Sequence, residues 1–236
     1  MVGHQTFDFK NYGFVVGMRD EALVLQAHGV ASERIFCSGG RSGVVYAGAK
    51  ALLRSGACGL ASFGVAGGVA PGWSAGRIAL IDSVLASSGE RFVSDSSALV
   101  ALVQAAERLA LAADVASALG VDRALTSPVA KSAAHREFGV AVVDMESHEV
   151  ARAAAALQTP FFAVRVVVDP PERVVPPPAL VGLGPDGRTR PWAVIARLAL
   201  APHHLLAVMR LARDSRTAFA SLERCAALFC SVGDKH

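Results

Sequence analysis

Carboxylates stand at the ends of several short apolar runs of this sequence. The runs are rich in β-branched residues and are predicted to be strands, and the strongest of them, Phe161–Val168, ends at an aspartate. Four carboxylates share this placement: Glu21, Asp144, Glu146 and Asp169. Because ligands of open α/β sheets bind at the carboxyl ends of the strands, we expect these side chains on one rim. Crowding and partial burial raise carboxyl pKa values, so one of them is expected to act as a general acid near neutral pH.

Helix capping is the alternative role for carboxylates that follow strands, since an Asp at a helix N-terminus accepts backbone hydrogen bonds. We assign capping to Asp20. For Asp144, capping and a role in the site both stay open.

Small-residue segments follow two other predicted strands. The residues of interest are Gly64, Ala66 and Gly67 in one segment, and Ser38 and Gly39 in the other. Glycine lacks a Cβ atom, so the backbone at these positions can approach a ligand closely. Both segments are therefore candidate parts of a binding site.

The elements that must position these residues alternate along the chain. Strands are predicted at 14–16, 34–37, 59–63, 77–85, 140–143 and 161–168, and helices at 19–28, 42–54, 96–110, 147–157, 191–200 and 202–229. Residues 170–190 are rich in proline and are predicted to be a loop. This alternation is typical of an α/β fold with a buried, largely parallel sheet.

Composition bounds the number of domains and the class of partner. A chain of 236 residues, 53% hydrophobic, can close one large core, so a single domain over residues 1–236 is expected, with 170–236 forming a Pro-rich loop and C-terminal helices. A net charge of +3 without a basic cluster argues against nucleic acid as a partner. Neither metal-ligand spacing of the four cysteines nor a membrane-length apolar run occurs, so no metal and a cytoplasmic location are expected.

Four segments, in order, resemble the methylthioadenosine and adenosylhomocysteine nucleosidases of the nucleoside phosphorylase superfamily. The segments are Gly17-Met18-Arg19-Asp20-Glu21, the glycine loop Phe63–Pro71, Val143-Asp144-Met145-Glu146, and Val164–Asp169. The resemblance implies a three-layer α/β/α sandwich with a central mixed, largely parallel sheet. It also implies cleavage of the N-glycosidic bond of a purine nucleoside.

The roles of four residues follow from this resemblance. Glu21 matches the glutamate that activates the attacking water, and Asp169 matches the aspartate that protonates the purine at N7. Met145 is expected to pack on the sugar, and Glu146 to accept hydrogen bonds from the ribose hydroxyls. The loop with Gly64, Ala66 and Gly67 is expected beside the base and ribose.

A closer resemblance, to the hopanoid-associated phosphorylases, covers nearly the whole chain. It rests on SFGVAGG, Thr126-Ser127-Pro128, VVDMES, RVVVDPPERVVPP and the tail PHHLLAVMRLARDSR. The resemblance implies release of adenine from adenosylhopane, a nucleoside lipid, with no organic cofactor. A soluble methylthioadenosine-type substrate and a non-catalytic nucleoside or lipid binder are the alternatives.

The nucleophile stays open, because the sequence departs from the phosphorylases. Their phosphate-binding arginine before the glycine loop is replaced by Ser62-Phe63. Arg41 is a candidate phosphate ligand, although an exposed arginine at a helix start is the simpler interpretation. Inorganic phosphate as co-substrate and water as nucleophile are therefore both retained.

The segment Pro170–Arg213 carries apolar residues interleaved with arginines. This pattern is typical of core helices, but it also suits an amphipathic pair that lies on a lipid surface. The lipid substrate implied by the resemblance favours peripheral contact with the inner membrane. The apolar composition and the known relatives favour a homodimer.

Overall fold

Residues 7–229 are described by the computed structural model of the chain. Within them the strands are β1 (Gly13–Val16), β2 (Ile35–Cys37), β3 (Leu60–Gly68), β4 (Ile78–Ala86), β5 (Arg91–Val93), β6 (Ala113–Gly120), β7 (Val142–Asp144) and β8 (Phe161–Asp169). The helices are α1 (Arg19–Ala27), α2 (Ser42–Arg54), α3 (Ser96–Arg108), α4 (Pro128–Phe138), α5 (Ser147–Ala156), α6 (Pro177–Leu180), α7 (Pro191–Leu200) and α8 (Leu205–Ala226). Short 3₁₀ turns cover Phe9–Asn11, Ser32–Arg34, Pro202–His204 and Ala227–Phe229.

The strands form one mixed, largely parallel sheet. Its order is β2-β1-β3-β7-β6-β4-β5, and β8 pairs with both β3 and β4. Strand β8 runs parallel to β3 and antiparallel to β4, so it is paired along both edges. Strands β3, β8, β4, β6 and β7 thereby pair in a closed cycle, and the ends of β7 and β8 come close to the end of β3.

Helices cover both faces of the sheet. Apolar side chains of α1, α3 and α8 share one buried cluster with Phe14, Phe63 and Phe162 of the strands. Side chains of α2 and α5 form a second cluster against the other face. Burial of apolar area on both faces is what stabilises such a layered sheet. The predicted three-layer α/β/α fold is confirmed.

Four regular elements were absent from the prediction: β5, β6, α4 and α6. Strand β6 was missed because Asp114 and Ser117 interrupt a run of small alanines, which leaves weak periodicity. Helix α4 was missed although it carries start and stop signals: the Ser127 side chain accepts the Ala130 N–H, a proline follows, and Gly139 ends the helix with φ of +67°.

The prediction of an unbroken loop at 170–190 was wrong in part. Residues Pro177–Leu180 form α6, because prolines are tolerated in the first turn of a helix, where the backbone N–H has no partner. The predicted helices at 191–200 and 202–229 lie close to α7 and α8. Among residues 7–229, the helices are too short or too polar to cross a membrane. The C-terminal part of the predicted segment 170–236, including Cys230, lies outside the described residues.

Candidate active site

A pocket of about 390 Å³ opens where β3, β7 and β8 end. Its size is that of a small-ligand site. The carboxylates predicted to share a rim all line it: Glu21, Asp144, Glu146 and Asp169. All four are buried in the protein, with less than a tenth of each residue exposed. The fold therefore buries four carboxylates around one pocket, where their charge must be compensated by nearby donors.

Glu21 sits in a cradle of backbone N–H groups at the start of α1. Its Oε2 accepts hydrogen bonds from the N–H of Gly17 and of Met18, each at 2.8 Å. Its Oε1 accepts the Val65 N–H at 2.8 Å. Burial raises the pKa of the Glu21 carboxyl above its ordinary value, although the three N–H groups and Arg165 oppose this. The result is a buried carboxyl of raised basicity, which suits a general base.

Gly64 leaves the space that Glu21 fills. Its φ is +153°, in the region that favours glycine, and a Cβ atom there would overlap the Glu21 carboxylate. The space beside Gly67 is less restricted, because a Cβ atom there would lie 3.2 Å from Cγ1 of Val143 and 3.3 Å from Oδ2 of Asp169. Ala66 and Gly67 line the pocket, while Gly64 lies behind Glu21.

Arg165 lies at the centre of the charged network, with only 1% of the residue exposed. Its Nε donates to Oδ2 of Asp144 at 3.0 Å. Its Nη2 donates to the hydroxyls of Ser62 at 2.6 Å and Ser147 at 3.0 Å, and lies 3.7 Å from Oε2 of Glu146. A guanidinium offers five donors in a fixed plane, so one buried arginine can hold several acceptors in place.

Asp144 performs the two functions that the sequence left open. Its Oδ1 accepts the N–H groups of Glu146 at 2.9 Å and Ser147 at 2.7 Å, which caps the start of α5. Its Oδ2 binds Arg165. Burial acts to raise the pKa of Asp144, but Arg165 and the N–H groups of α5 hold it below its ordinary value. Asp144 is therefore charged at neutral pH and links the start of α5 to Arg165.

Glu146 is a further buried carboxyl of raised pKa. Burial raises its pKa to about 7, helped by the neighbouring charges of Asp144 and Glu21, while Arg165 opposes the shift. The Ser38 hydroxyl donates to its Oε1 at 3.4 Å. Met145 lines the pocket beside it. Met145 and Glu146 both line the pocket and can contact a ligand there. Glu146 changes charge near neutral pH.

Asp169 ends β8 and pairs with a lysine. Its Oδ2 lies 2.5 Å from Nζ of Lys131, a side chain of α4 with 0% exposure. Burial raises the pKa of the Asp169 carboxyl, whereas Lys131 lowers it, and the net shift is upward. A carboxyl of raised pKa at the edge of a pocket is suited to donate a proton.

The second glycine segment is only partly in the pocket. Ser38 reaches it through Glu146, whereas Gly39 packs under the backbone of Pro185. Arg41 is exposed, and its Nε donates to the Ser38 carbonyl at 3.3 Å. The side chain of Arg41 is thus not among those that line the pocket. Within residues 7–229, no cluster of three His, Cys, Asp or Glu side chains is placed to hold a metal ion.

Residues 14–179 match the phosphorylase superfamily in sequence. The chain belongs to the phosphorylase superfamily. The prediction of an enzyme of this superfamily is confirmed at that level. No curated protein sequence matches the chain.

Solved structures with the same superfamily fold include two bacterial nucleosidases. The 5′-methylthioadenosine/S-adenosylhomocysteine nucleosidase of Neisseria meningitidis, in complex with methylthio-immucillin-A, is 18% identical over 93% of this chain and 98% of its own, with a TM-score of 0.70. That of Campylobacter jejuni is 14% identical over 93% and 98%, with a TM-score of 0.67. A futalosine hydrolase mutant of Helicobacter pylori is 14% identical over 66% and 88%, with a TM-score of 0.60. At these identities the likeness is one of fold.

Two charged residues of this superfamily member were given no role from sequence. Arg165 lies four residues before Asp169 in the segment Val164–Asp169, but its apolar neighbours give no indication that it points into the site. Lys131 lies on α4, which was not predicted. The pair Ser127-Pro128 with Gly139 is the signal that would have found the helix, and a lysine on its inner face would then have been conspicuous.

Proposed function

We propose that the protein hydrolyses the N-glycosidic bond of an adenine nucleoside and releases adenine. The observation that carries this proposal is the pair of buried carboxyls of raised pKa, Glu21 and Asp169, which share one pocket with Glu146. One of the pair can serve as base and the other as acid. The nucleosidase of Neisseria meningitidis, which has this fold, binds a methylthio-immucillin.

In the proposed reaction, the Asp169 carboxylic acid gives its proton to N7 of the purine. The C1′–N9 bond breaks, and its electron pair moves to the base. Water adds to C1′ and loses a proton to the Glu21 carboxylate. Exchange with solvent then returns a proton to Asp169 and removes one from Glu21. Ionised Glu146 holds the ribose hydroxyls and stabilises the positive charge that develops on the sugar.

Water is preferred to phosphate as the nucleophile because Glu21 already occupies the anion-binding N–H groups. Three backbone N–H groups point at its carboxylate, and such groups are what a phosphate would need. A phosphate beside Glu21 and Glu146 would also face like charge. The candidate phosphate ligand Arg41 is turned to solvent.

Product analysis tests both the reaction and the nucleophile. The protein is incubated with adenosine, 5′-methylthioadenosine and a 5′-alkyl adenosine, with and without inorganic phosphate. We expect free adenine and a free ribose derivative in both buffers. Formation of a ribose 1-phosphate in phosphate buffer would show that the reaction is phosphorolysis and not hydrolysis. Tight adenine binding without turnover of any substrate would contradict the enzymatic proposal and favour a non-catalytic nucleoside binder.

The substrate within this class is proposed to be a nucleoside lipid such as adenosylhopane. Beyond the charged floor, the pocket is walled by apolar side chains, which are Leu125, Val175, Ala179, Leu183, Leu211 and Phe219. An apolar wall of this extent binds a hydrocarbon substituent better than a polar one. We expect kcat/KM to be higher for a long 5′-alkyl adenosine than for 5′-methylthioadenosine. Leu183→Ser should reduce that preference, and the exposed Leu157→Ser should not.

Peripheral contact with an anionic membrane is proposed for the surface formed by α7 and the first half of α8. Trp192 and Leu200 of α7 are 79% and 80% exposed, and they are accompanied by Ile195, Leu206 and Met209. Residues 187–213 contain five arginines and no Asp or Glu. Apolar residues flanked by arginine suit the interface of an anionic bilayer. A second copy of the chain, as in the expected homodimer, is the competing occupant of this surface.

A further inference from the structure

Lys131 is a buried cation for which neither the sequence nor the proposed reaction accounts. Its Nζ lies 2.5 Å from Oδ2 of Asp169. The same Nζ donates to the backbone carbonyls of Asp169 at 3.1 Å, Pro170 at 2.8 Å and Arg173 at 3.2 Å. One ammonium group therefore holds both the carboxylate of the acid and the backbone that follows it.

We propose that Lys131 is a positioning residue that fixes which oxygen of Asp169 carries the acidic proton and strengthens that acid during bond cleavage. This inference rests on the proposed function, in which Asp169 protonates the purine. The ammonium group occupies Oδ2, so a proton on that oxygen is disfavoured. The proton is left on Oδ1, the oxygen other than the one in the 2.5 Å contact with Lys131.

The ammonium group also stabilises the carboxylate that forms when Asp169 gives up its proton. An opposite charge this close lowers a carboxyl pKa by about 1–3 units, whereas burial raises it. Burial alone would make Asp169 a weak acid that holds its proton, and Lys131 offsets that effect. The product state, with carboxylate and ammonium paired, is therefore favoured over the state with an isolated buried carboxylate.

A purely structural role is the competing explanation, and stability arguments do not favour it. The hydrogen bonds of Lys131 to the three backbone carbonyls hold the loop that follows Asp169. A buried ion pair, however, is often no more stabilising than apolar side chains of the same volume, so stability alone does not explain the contact with the carboxylate. Val168, which precedes Asp169 and is half-buried, has no polar side-chain atom and therefore cannot hold the Asp169 carboxylate in place of Lys131. Among the described residues, Lys131 is the cation in contact with the Asp169 carboxylate.

One other charged group influences Asp169 from a neighbouring helix. Asp214 of α8 acts to raise the pKa of Asp169. Its own carboxylate is paired with Arg173, whose Nε lies 2.6 Å from Asp214 Oδ2. Lys131 from α4 and Asp214 from α8 are therefore the charged side chains that act on this acid, and Arg173 from the following loop acts on Asp214.

The pH profile of activity tests the proposal. Wild type, Lys131→Met, Lys131→Arg and the exposed control Lys10→Met are assayed for adenine release from the best substrate between pH 5 and 10. In Lys131→Met the carboxylate loses its cation, so the basic limb, where Asp169 loses its proton, should move to higher pH by about 1–3 units. The plateau of kcat should fall about tenfold or more, because general acid catalysis as a whole contributes about 10²–10⁴-fold. Lys131→Arg and Lys10→Met should keep the wild-type limb.

An unchanged basic limb in folded Lys131→Met would overturn the inference, even if the rate falls. A wild-type protein without adenine release would instead contradict the proposed function, so the two failures are distinguishable.

A second comparison tests the proposal even if Lys131→Met alone does not fold. Lys131→Met combined with Asp169→Asn contains no unpaired buried charge and is compared with Asp169→Asn alone. If Lys131 acts through the acid, the residual rate and the adenine affinity of the two proteins should agree within about threefold, since interaction between coupled sites disappears once one partner is gone. A further loss of tenfold or more in the double variant would assign Lys131 a structural role only.

Discussion

The floor of the pocket and the helical surface beside its mouth are built in opposite ways. On the floor, four carboxylates and two cations are buried, and they come from strands β7 and β8, from helices α1 and α4 and from the start of α5. On α7, which lies wholly within the described residues, every side chain is exposed or half-buried, although most of these side chains are apolar. Buried charge and exposed apolar surface both cost free energy in an isolated protein, so each is expected to have a function.

This contrast separates the residues suited to the chemical reaction from those suited to contact with the substrate or a membrane. The buried charges are held by short hydrogen bonds to rigid elements, which fixes the protonation and geometry needed for bond cleavage. The exposed apolar helix adds nothing to that chemistry. It is suited to meet a partner of matching polarity, here the apolar part of a substrate or the lipid from which that substrate is taken. Variants of the floor should therefore abolish the reaction, and variants of the surface should change only access to it.

The largest expected effect is that of Asp169→Asn. Asparagine has no acidic proton to give, so kcat should fall about 10²–10⁴-fold on every substrate. Adenine release measured by absorbance or chromatography checks this. The control is Asp114→Asn, which breaks the surface pair with Arg77 and should keep full activity. Because Asp169→Asn leaves Lys131 without its carboxylate, thermal unfolding must show that the variant is folded at the assay temperature.

Removing Arg165 should have the next largest effect, on stability as well as activity. Arg165→Met leaves the buried carboxylates of Asp144 and Glu146 without their cation, which costs about 3–5 kcal/mol of unfolding free energy. Arg77→Met breaks an exposed pair with Asp114 and should cost about 0–1 kcal/mol. Denaturant unfolding of both variants measures the difference. Equal losses would contradict the view that the buried network organises the floor.

Glu146 should give the floor a pH dependence near neutrality. Its pKa is raised to about 7, so the carboxylate that accepts ribose hydroxyls is lost below that pH. We expect kcat/KM to fall by up to about tenfold per pH unit on the acid side, and Glu146→Gln to flatten this limb at lower overall activity. Stability checks the sign independently. Because the pKa of Glu146 is higher in the folded protein than in the unfolded chain, Glu146 contributes fully to the free energy of unfolding below its unfolded-state pKa. This contribution is lost as the pH rises through about 7. Glu146→Gln should not show that loss.

The floor was easier to predict from sequence than its counter-charges. Carboxylates after apolar strands mark a rim, because strand periodicity and chain order determine where strands end. The cations depend on side-chain direction and on tertiary packing. Arg165 sits within an apolar strand, and Lys131 lies on a helix whose alanines gave weak periodicity, so neither pattern indicated burial. Arg41 illustrates the reverse, because a position next to a glycine segment does not determine where a long side chain points.

The smallest expected effect concerns the helical surface, and it separates a membrane from a second copy of the chain as its occupant. We expect the wild-type protein to sediment with anionic vesicles at low salt and to be released by high salt, since the attraction between arginines and anionic lipid is screened. Arg197→Gln, Arg210→Gln and Arg213→Gln should each weaken binding about fivefold, because a basic residue at such a surface contributes about 1 kcal/mol. Arg54→Gln, exposed at the far end of α2, is the matched control and should bind as wild type.

Activity on 5′-methylthioadenosine should be the same in all four variants, because none of these arginines lines the pocket as described for residues 7–229. Trp192→Ser should reduce vesicle binding as well, through loss of apolar contact with the bilayer. If the protein instead elutes as a dimer that Trp192→Ser converts to a monomer, and does not sediment with vesicles, then the surface is an interface between copies. In that case the protein would bind a lipid substrate without contacting a membrane. The preference for long 5′-alkyl chains should then persist in detergent-free solution.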